Sequence, residues 1–431
     1  MPTSSYSRLC LSFHTLLIFV LLLTGSATAQ DANTQSAAQT GGALPSAIAP
    51  TLSNIFPASG AAGGAGFTLT LSGSNFLPTS VVRWNGVSRP VTYDSEFQLR
   101  AQISAQDIQS LGSNSVTVFN SGAGSSSPVA FTTYLPLATN DLVYDATRGV
   151  LWASIPSTGG PLLGNSIVSV NPYTGVLGMP LWVGSEPGKL ALSTDASTLW
   201  IALRGSPSIR KVSLITMTLS PVQPYFPGGW GSNVYANSLA VAPGSASTVA
   251  VAAGFVTIYD NAVARANAGT TGANSLAFGA TSSTLYGYGY GGGLSIFTVG
   301  ATGITNTKTP PNSGSYSNDL RYDKGRLYLT SGQVLDGTTG NLLGKFAAPG
   351  PVAPDSKLGR AFTLNSSSSF GTPDQVTAFD INTFLPLGSF GVGGLDTSFN
   401  SPSSLVRWVM TAWHFARRAA FTYCVAQLYR I

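Results

Sequence analysis

LALSTDASTLWIAL, residues 190–203, is an apolar run, a polar turn carrying Asp195, and a second apolar run with Trp200 at its centre. Short runs of β-branched, aromatic and aliphatic residues bounded by turn formers read as strands. The phrase returns as LVYDATRGVLWASI from Leu142, LAVAPGSASTVAVAA from Leu239 and LAFGATSSTLYGYG from Leu276. LRYDKGRLYLTS from Leu320 and VAPDSKLGRAFTLN from Val352 continue it, the starts lying 48, 49, 37, 44 and 32 residues apart. Third strands with a turn follow most copies: SIVSVNPYTG, SIRKVSLITM, FVTIYDNAV, LSIFTVGATG and QVTAFDINTF. A period near 40–50 with about four strands per unit marks a β-propeller blade, read from inner to outer strand. A seventh copy starts at Leu405 in SPSSLVRW and then breaks off.

Composition agrees. The 431 residues include 49 Gly and 26 Pro with only 9% charged, so turns are frequent and charge is sparse. No long run within residues 50–400 keeps a helical period with caps at both ends. The formal charge of +5 shrinks once Arg8, Arg417, Arg418 and Arg430 are set aside, leaving 17 bases against 16 acids. A nucleic-acid footprint needs clustered bases, so nucleic acid is excluded as a partner. Cys10, Cys424, His14 and His414 are the only cysteines and histidines. Residues 30–408 therefore offer no disulfide, thiol nucleophile, imidazole base or Cys/His metal site.

The N-terminus has one early base, the apolar core TLLIFVLLL and a small-x-small triplet, Ala27-Thr28-Ala29. Residues 1–29 read as a signal peptide cut between Ala29 and Gln30, too short in its apolar core to span a bilayer. Residues 30–49 read as a flexible linker. Five strand signals follow at Phe67–Ser72, Ser80–Trp84, Gln98–Ile103, Ser115–Asn120 and Val129–Thr133, with a short helical stretch at Ala105–Leu111. Turn residues every 8–12 positions suit a sandwich. Asn85-Gly86 signals a hairpin, and Gly73 and Asn75 are expected at positive φ.

Through "IFPASGAAGG", "FTLTLSGSNF", "VVRWNG" and "SVTVFNSGAGSS", residues 50–134 resemble an IPT/TIG domain, an immunoglobulin-like module. The resemblance implies a spacer or binding platform and argues against catalysis there. Residues 135–408, above all at LALSTDASTLWIAL, look like a YVTN-type propeller of exported bacterial proteins, although the Asp-Gly turn of that type is rarely intact. The expected fold is thus all-β: a small immunoglobulin-like sandwich, then a seven-bladed β-propeller with its seventh blade incomplete.

Acidic residues offer the only chemistry. Asp145, Asp195, Asp323 and Asp355 fall in the first turns of different blades, where Asp accepts backbone N–H bonds. Asp94, Glu96 and Asp107 are spread over the sandwich surface, unlike a calcium cluster. YGYGYGGG, Tyr286–Gly293, lacks the Lys and helix of a phosphate loop; it reads as a strand with a loose turn, or as tyrosines for sugar stacking. The sequence assigns no catalytic, cofactor or metal residue.

Residues 409–431 hold no Gly, Pro or acid. As a helix they would align Arg407, Thr411, His414, Arg418 and Thr422 on a basic face suited to a membrane surface. Read back one nucleotide after Trp408, the same stretch permits LVRWGDDGLAFRTSGGLYLLR, a complete inner strand pair for blade seven. We expect this frameshift origin, and with it an aberrant tail. A clasp strand at Thr132–Leu137 and, with the final strands lost, unpaired edges on blades one and six are also expected.

The function expected is non-enzymatic: an exported binding or adhesion/structural protein of the bacterial cell surface, extracellular space or periplasm. Its partner is a protein or glycan, with no membrane span after signal cleavage. The alternative is an exported propeller hydrolase or lyase using carboxylates only, with Asp141, Glu186 and Asp319 at inner-strand entries.

Overall fold

The computed structural model describes residues 9–10, 48–224, 235–269, 273–289, 293–311, 317, 319–365, 374–392, 404–408 and 422–426. The expected cleavage site and most of the leader, linker and tail lie outside the described residues. Among the described residues, no helix is long and apolar enough to cross a membrane.

Two sheets form the sandwich. One orders Thr51–Phe56, Phe67–Ser74, Gln98–Ile103 and Val91–Ser95; the other orders Ser59–Ala61, Val129–Tyr134, Gly112–Asn120, Val81–Trp84 and Val87–Arg89. Alternation drives the packing: Leu69, Leu71, Leu99, Val82, Trp84, Val116, Val118 and Phe131 are buried between the sheets. All five expected strands are present, and the helical stretch is a 3-10 turn, Ala105–Ile108, capped by Ser104. Asn85 and Gly86, at φ 49° and 84°, make the expected hairpin turn. Gly73 differs from expectation. It has no positive φ; instead a Cβ there would lie 1.9 Å from the Thr51 carbonyl oxygen, so glycine permits close approach of two backbones.

Residues beyond Tyr134 form six four-stranded blades, antiparallel and ordered from inner to outer strand; blade two carries one extra short strand. The inner strands are Asp141–Asp145, Pro187–Leu192, Ser238–Val241, Ala273–Phe278, Leu320–Asp323 and Val352–Asp355. Each touches the next, and Ser404–Trp408 sits between the sixth and the first, closing a ring of seven. The second strands explain the repeated phrase. In Thr198–Leu203, Leu199, Ile201 and Leu203 pack towards blade one, whereas Trp200 and Ala202 pack towards blade three. A strand buried on both faces reads as continuously apolar.

Blade seven is short, as expected. Ser404–Trp408 pairs with Thr422–Ala426, which in turn pairs with Leu9–Cys10 of the expected leader. Arg407 and Thr422, placed on one helix face by the basic-helix reading, therefore lie in paired strands. The flanks of blades one and six are not bare: Leu405 enters the blade six core and Val406 the blade one core. The sandwich adds to both, with Ala61 and Tyr134 on the blade six side and Leu111 and Leu135 on the blade one side. The expected clasp is corrected here. Thr132–Tyr134 is hydrogen-bonded within the sandwich, to Ser59–Ala61 and to Gly112–Ser113, so its edges are already used.

Four of the six turns between third and fourth strands, those of blades one, two, five and six, share one device. The side-chain oxygens of Asn171, Ser213, Asp336 and Asp380 accept the amide of the residue three positions on, at 2.7–3.3 Å. The position after that amide is left-handed: Gly175, Met217, Gly340 and Phe384 have φ of 70°, 54°, 78° and 61°. A non-glycine residue costs about 1–2 kcal/mol in this region. Exposed Met217→Gly should therefore stabilise the fold by about 0.5 kcal/mol after its entropic cost. Phe384→Gly should instead destabilise by about 2 kcal/mol, because that ring lies against Gly344 and 5.8 Å from the Phe346 ring. Opposite shifts of the urea midpoint check the pair.

Candidate functional site

The rim where inner strands begin, the entry face, gathers the polar side chains nearest the ring axis. Four entries share an Asn-(Asp/Ser)-Leu phrase that the sequence reading did not single out: Asn140-Asp141-Leu142, Asn237-Ser238-Leu239, Asn274-Ser275-Leu276 and Asn318-Asp319-Leu320. The middle residue links neighbouring blades. Asp141 Oδ2 accepts the Leu190 amide at 3.0 Å, Ser238 Oγ accepts the Leu276 amide at 3.0 Å, and Ser275 Oγ donates to Asp319 Oδ1 at 3.2 Å. The asparagines do the same: Asn140 donates to the Pro187 carbonyl at 2.8 Å, and Asn237 to Asn274 Oδ1 at 3.1 Å. An equal spacing of this tripeptide from each Leu start was the signal available in the sequence.

The carboxylates proposed for acid chemistry are dispersed. Asp141 belongs to blade one and Asp319 to the entry of blade five, with two blades between them one way and three the other. Besides Ser275, Asp319 accepts the Leu320 amide at 2.9 Å and pairs with Arg321 at 2.9 Å. Glu186 lies between blades one and two and turns its Oε1 to the Ser157 amide at 3.1 Å. Among the described residues, no group of three or more His, Cys, Asp or Glu is arranged to hold a metal ion.

At the opposite rim, the first-turn aspartates are not alike. Asp145 accepts the Thr147 and Arg148 amides and Asp355 the Leu358 amide, each at 3.0 Å; Asp195 accepts the Ser197 amide at 3.0 Å. Asp323 departs from the expected role. Its turn is only Lys324-Gly325, at φ 43° and 83°, which needs no side-chain support. Its carboxylate accepts the Ser356 amide and hydroxyl of blade six at 2.7 and 2.9 Å.

The sugar-stacking reading of the tyrosine run is corrected. Tyr286 and Tyr288 are buried, and Tyr286 stacks on Tyr322 at 5.6 Å, so neither ring is available; Tyr290 to Gly292 lie outside the described residues.

In the sandwich, a groove of about 540 Å³ is lined by Arg89, Pro90, Gln102, Ile103, Ser104, Gln106 and Asp107. Residues 50–133 match the model of the IPT/TIG domain. The sandwich is an IPT/TIG domain. No curated protein matches the chain. A TIG domain suggests a binding or adhesion-type role, and its acids serve its own stability. Asp94 holds Arg100 in a two-pronged pair, and Asp107 holds Arg89 while capping the 3-10 turn through Ser104. The bond from Arg89 is the main cause that lowers the Asp107 pKa to about 2.

The sign follows: the folded value lies below the unfolded one near 3.9, so this stabilisation is complete above about pH 5 and fades as pH falls towards 2. It amounts to about 2 kcal/mol. Asp107→Asn should lose about that much at pH 7 and show a shallower decline in stability between pH 4 and 2, read by urea unfolding.

Proposed function

We propose that the protein is an exported, non-enzymatic binding or adhesion protein of a bacterial surface or extracellular space. In this reading the entry face of the propeller meets the ligand, and the TIG domain fixes the angle at which that face is presented. The carrying observation is how the entry-face carboxylates are used. Asp141 and Asp319 each hold a neighbouring blade, which leaves a rim of amides, hydroxyls, Lys189 and Arg204. Such groups bind by hydrogen bonds and local charge. The leader supports export, and LALSTDASTLWIAL supports a YVTN-type assignment for the ring.

The full chain, applied to a glycan array and to immobilised envelope polysaccharide, should be retained saturably without releasing reducing ends. Release of product at a rate abolished by Asp141→Asn or Asp319→Asn would transfer the protein to the carboxylate-hydrolase class. N-terminal sequencing of the exported chain should begin at Gln30.

A further inference from the structure

Arg204 differs from six other described arginines of the propeller. The guanidiniums of Arg148, Arg210, Arg265, Arg321, Arg326 and Arg407 reach carboxylates or backbone carbonyls. That of Arg204 reaches neither; it lies over the Tyr235 ring, 5.6 Å from the centroid, and is exposed. A cation on a ring face keeps its N–H donors free for a ligand.

The position is built by the backbone. Arg204 ends the second strand of blade two, where its amide donates to the Glu186 carbonyl at 2.8 Å. Its stem crosses Gly188 of the inner strand, where a Cβ would lie 2.9 Å from both Cγ and Cδ. At Gly205 a Cβ would come within 2.1 Å of the Ser185 hydroxyl, so the loop closes down beside it. Next to Gly188 is Lys189, part-exposed, its ammonium ion-paired with Asp141 Oδ1 at 3.7 Å. The nearby carboxylates are engaged away from Arg204, Glu186 with the Ser157 amide and Asp141 with Lys189 and the Leu190 amide. Arg204 therefore brings to this corner a guanidinium with open donors, beside a lysine already paired with Asp141.

We infer that this corner of the entry face, between blades two and three, binds an acidic polysaccharide, Arg204 receiving a uronate carboxylate beside Tyr235. The guanidinium fork suits a carboxylate, which two parallel N–H bonds can hold. One face of Tyr235 carries Arg204, and the residue is 37% exposed, open to a pyranose. Ser206, exposed two residues from Arg204, offers a hydroxyl to the sugar. The inference rests on the binding reading above and names its ligand class.

The probe is polygalacturonate, with the fully methyl-esterified polymer as its uncharged twin, titrated against the full chain by calorimetry. The acid form should bind and the ester at least tenfold more weakly. Arg204→Gln should lower affinity for the acid form at least tenfold, and Arg204→Lys by less, since it keeps charge without the fork. Lys357→Gln, an equal change of charge on an exposed turn of the opposite rim, should leave binding unchanged.

Equal binding of acid and ester, or an equal loss in Lys357→Gln, overturns the inference while leaving a glycan-binding protein in place. Failure of both polymers also overturns it, and the array experiment then decides the broader reading independently.

Discussion

Asp145→Ala is expected to cost about 4 kcal/mol, and Asp195→Ala, the same residue type in the same turn of the next blade, under about 1 kcal/mol. Asp145 is fully buried. Besides the two turn amides, its carboxylate accepts the Trp152 indole at 3.2 Å and pairs with Arg148 at 2.8 Å. Arg148 in turn donates to the Ala196 and Leu214 carbonyls of blade two, at 2.7 and 3.0 Å. Removing the carboxylate strands a half-buried guanidinium and a buried indole N–H at the contact between two blades. Those are the expensive consequences of breaking a buried pair. Asp195, by contrast, bonds only Ser193, Ser197 and its own exposed turn. Chemical unfolding followed by tryptophan fluorescence measures both, and a difference below about 1 kcal/mol would remove Asp145 from this role.

That contrast shows what one chain of residues can and cannot reveal. Ring order was legible because blades stack face to face, so each second strand must be apolar on both sides, as TLWIAL and TVAVAA are. The sandwich strands were legible through alternation, and Asn85-Gly86 through backbone preference. Partners across blades were not. The reach of Asp323 to Ser356, and of Arg148 to the Ala196 and Leu214 carbonyls, depends on which turns the ring brings together. Period-two spacing showed a strand at Tyr286 and Tyr288 but not that another blade covers both rings. The Arg204 corner escaped for the same reason. Its signal is a missing carboxylate partner, which exists only once Gly188 and Tyr235 are placed around it.

Replacing residues 409–431 by GDDGLAFRTSGGLYLLR is expected to raise the melting temperature by about 10 °C and to favour the monomer. In blades one and six the inner strand passes to the second through four residues, 146–149 and 356–359. In blade seven the corresponding connection, 409–421, has 13. Loop closure alone disfavours the longer connection by about 1 kcal/mol. The shifted reading restores a four-residue Gly-Asp-Asp-Gly turn before LAFRT. Its Leu and Phe, two positions apart, would share one face of the strand and enter one of the two cores already begun by Leu405 and Val406. Three apolar side chains at about 1.5–3 kcal/mol each supply the rest of the gain. The pairing of Leu9–Cys10 with Val425–Ala426 would be lost from any chain cut after Ala29, leaving an open edge that the restored strands cover. Scanning calorimetry and size-exclusion chromatography of the two chains decide the matter: an unchanged or lower melting temperature for the restored chain rules out the shifted reading as blade seven. Codons for Ala412 and Ala416 that forbid Leu and Thr in the shifted frame would exclude it at the level of the gene.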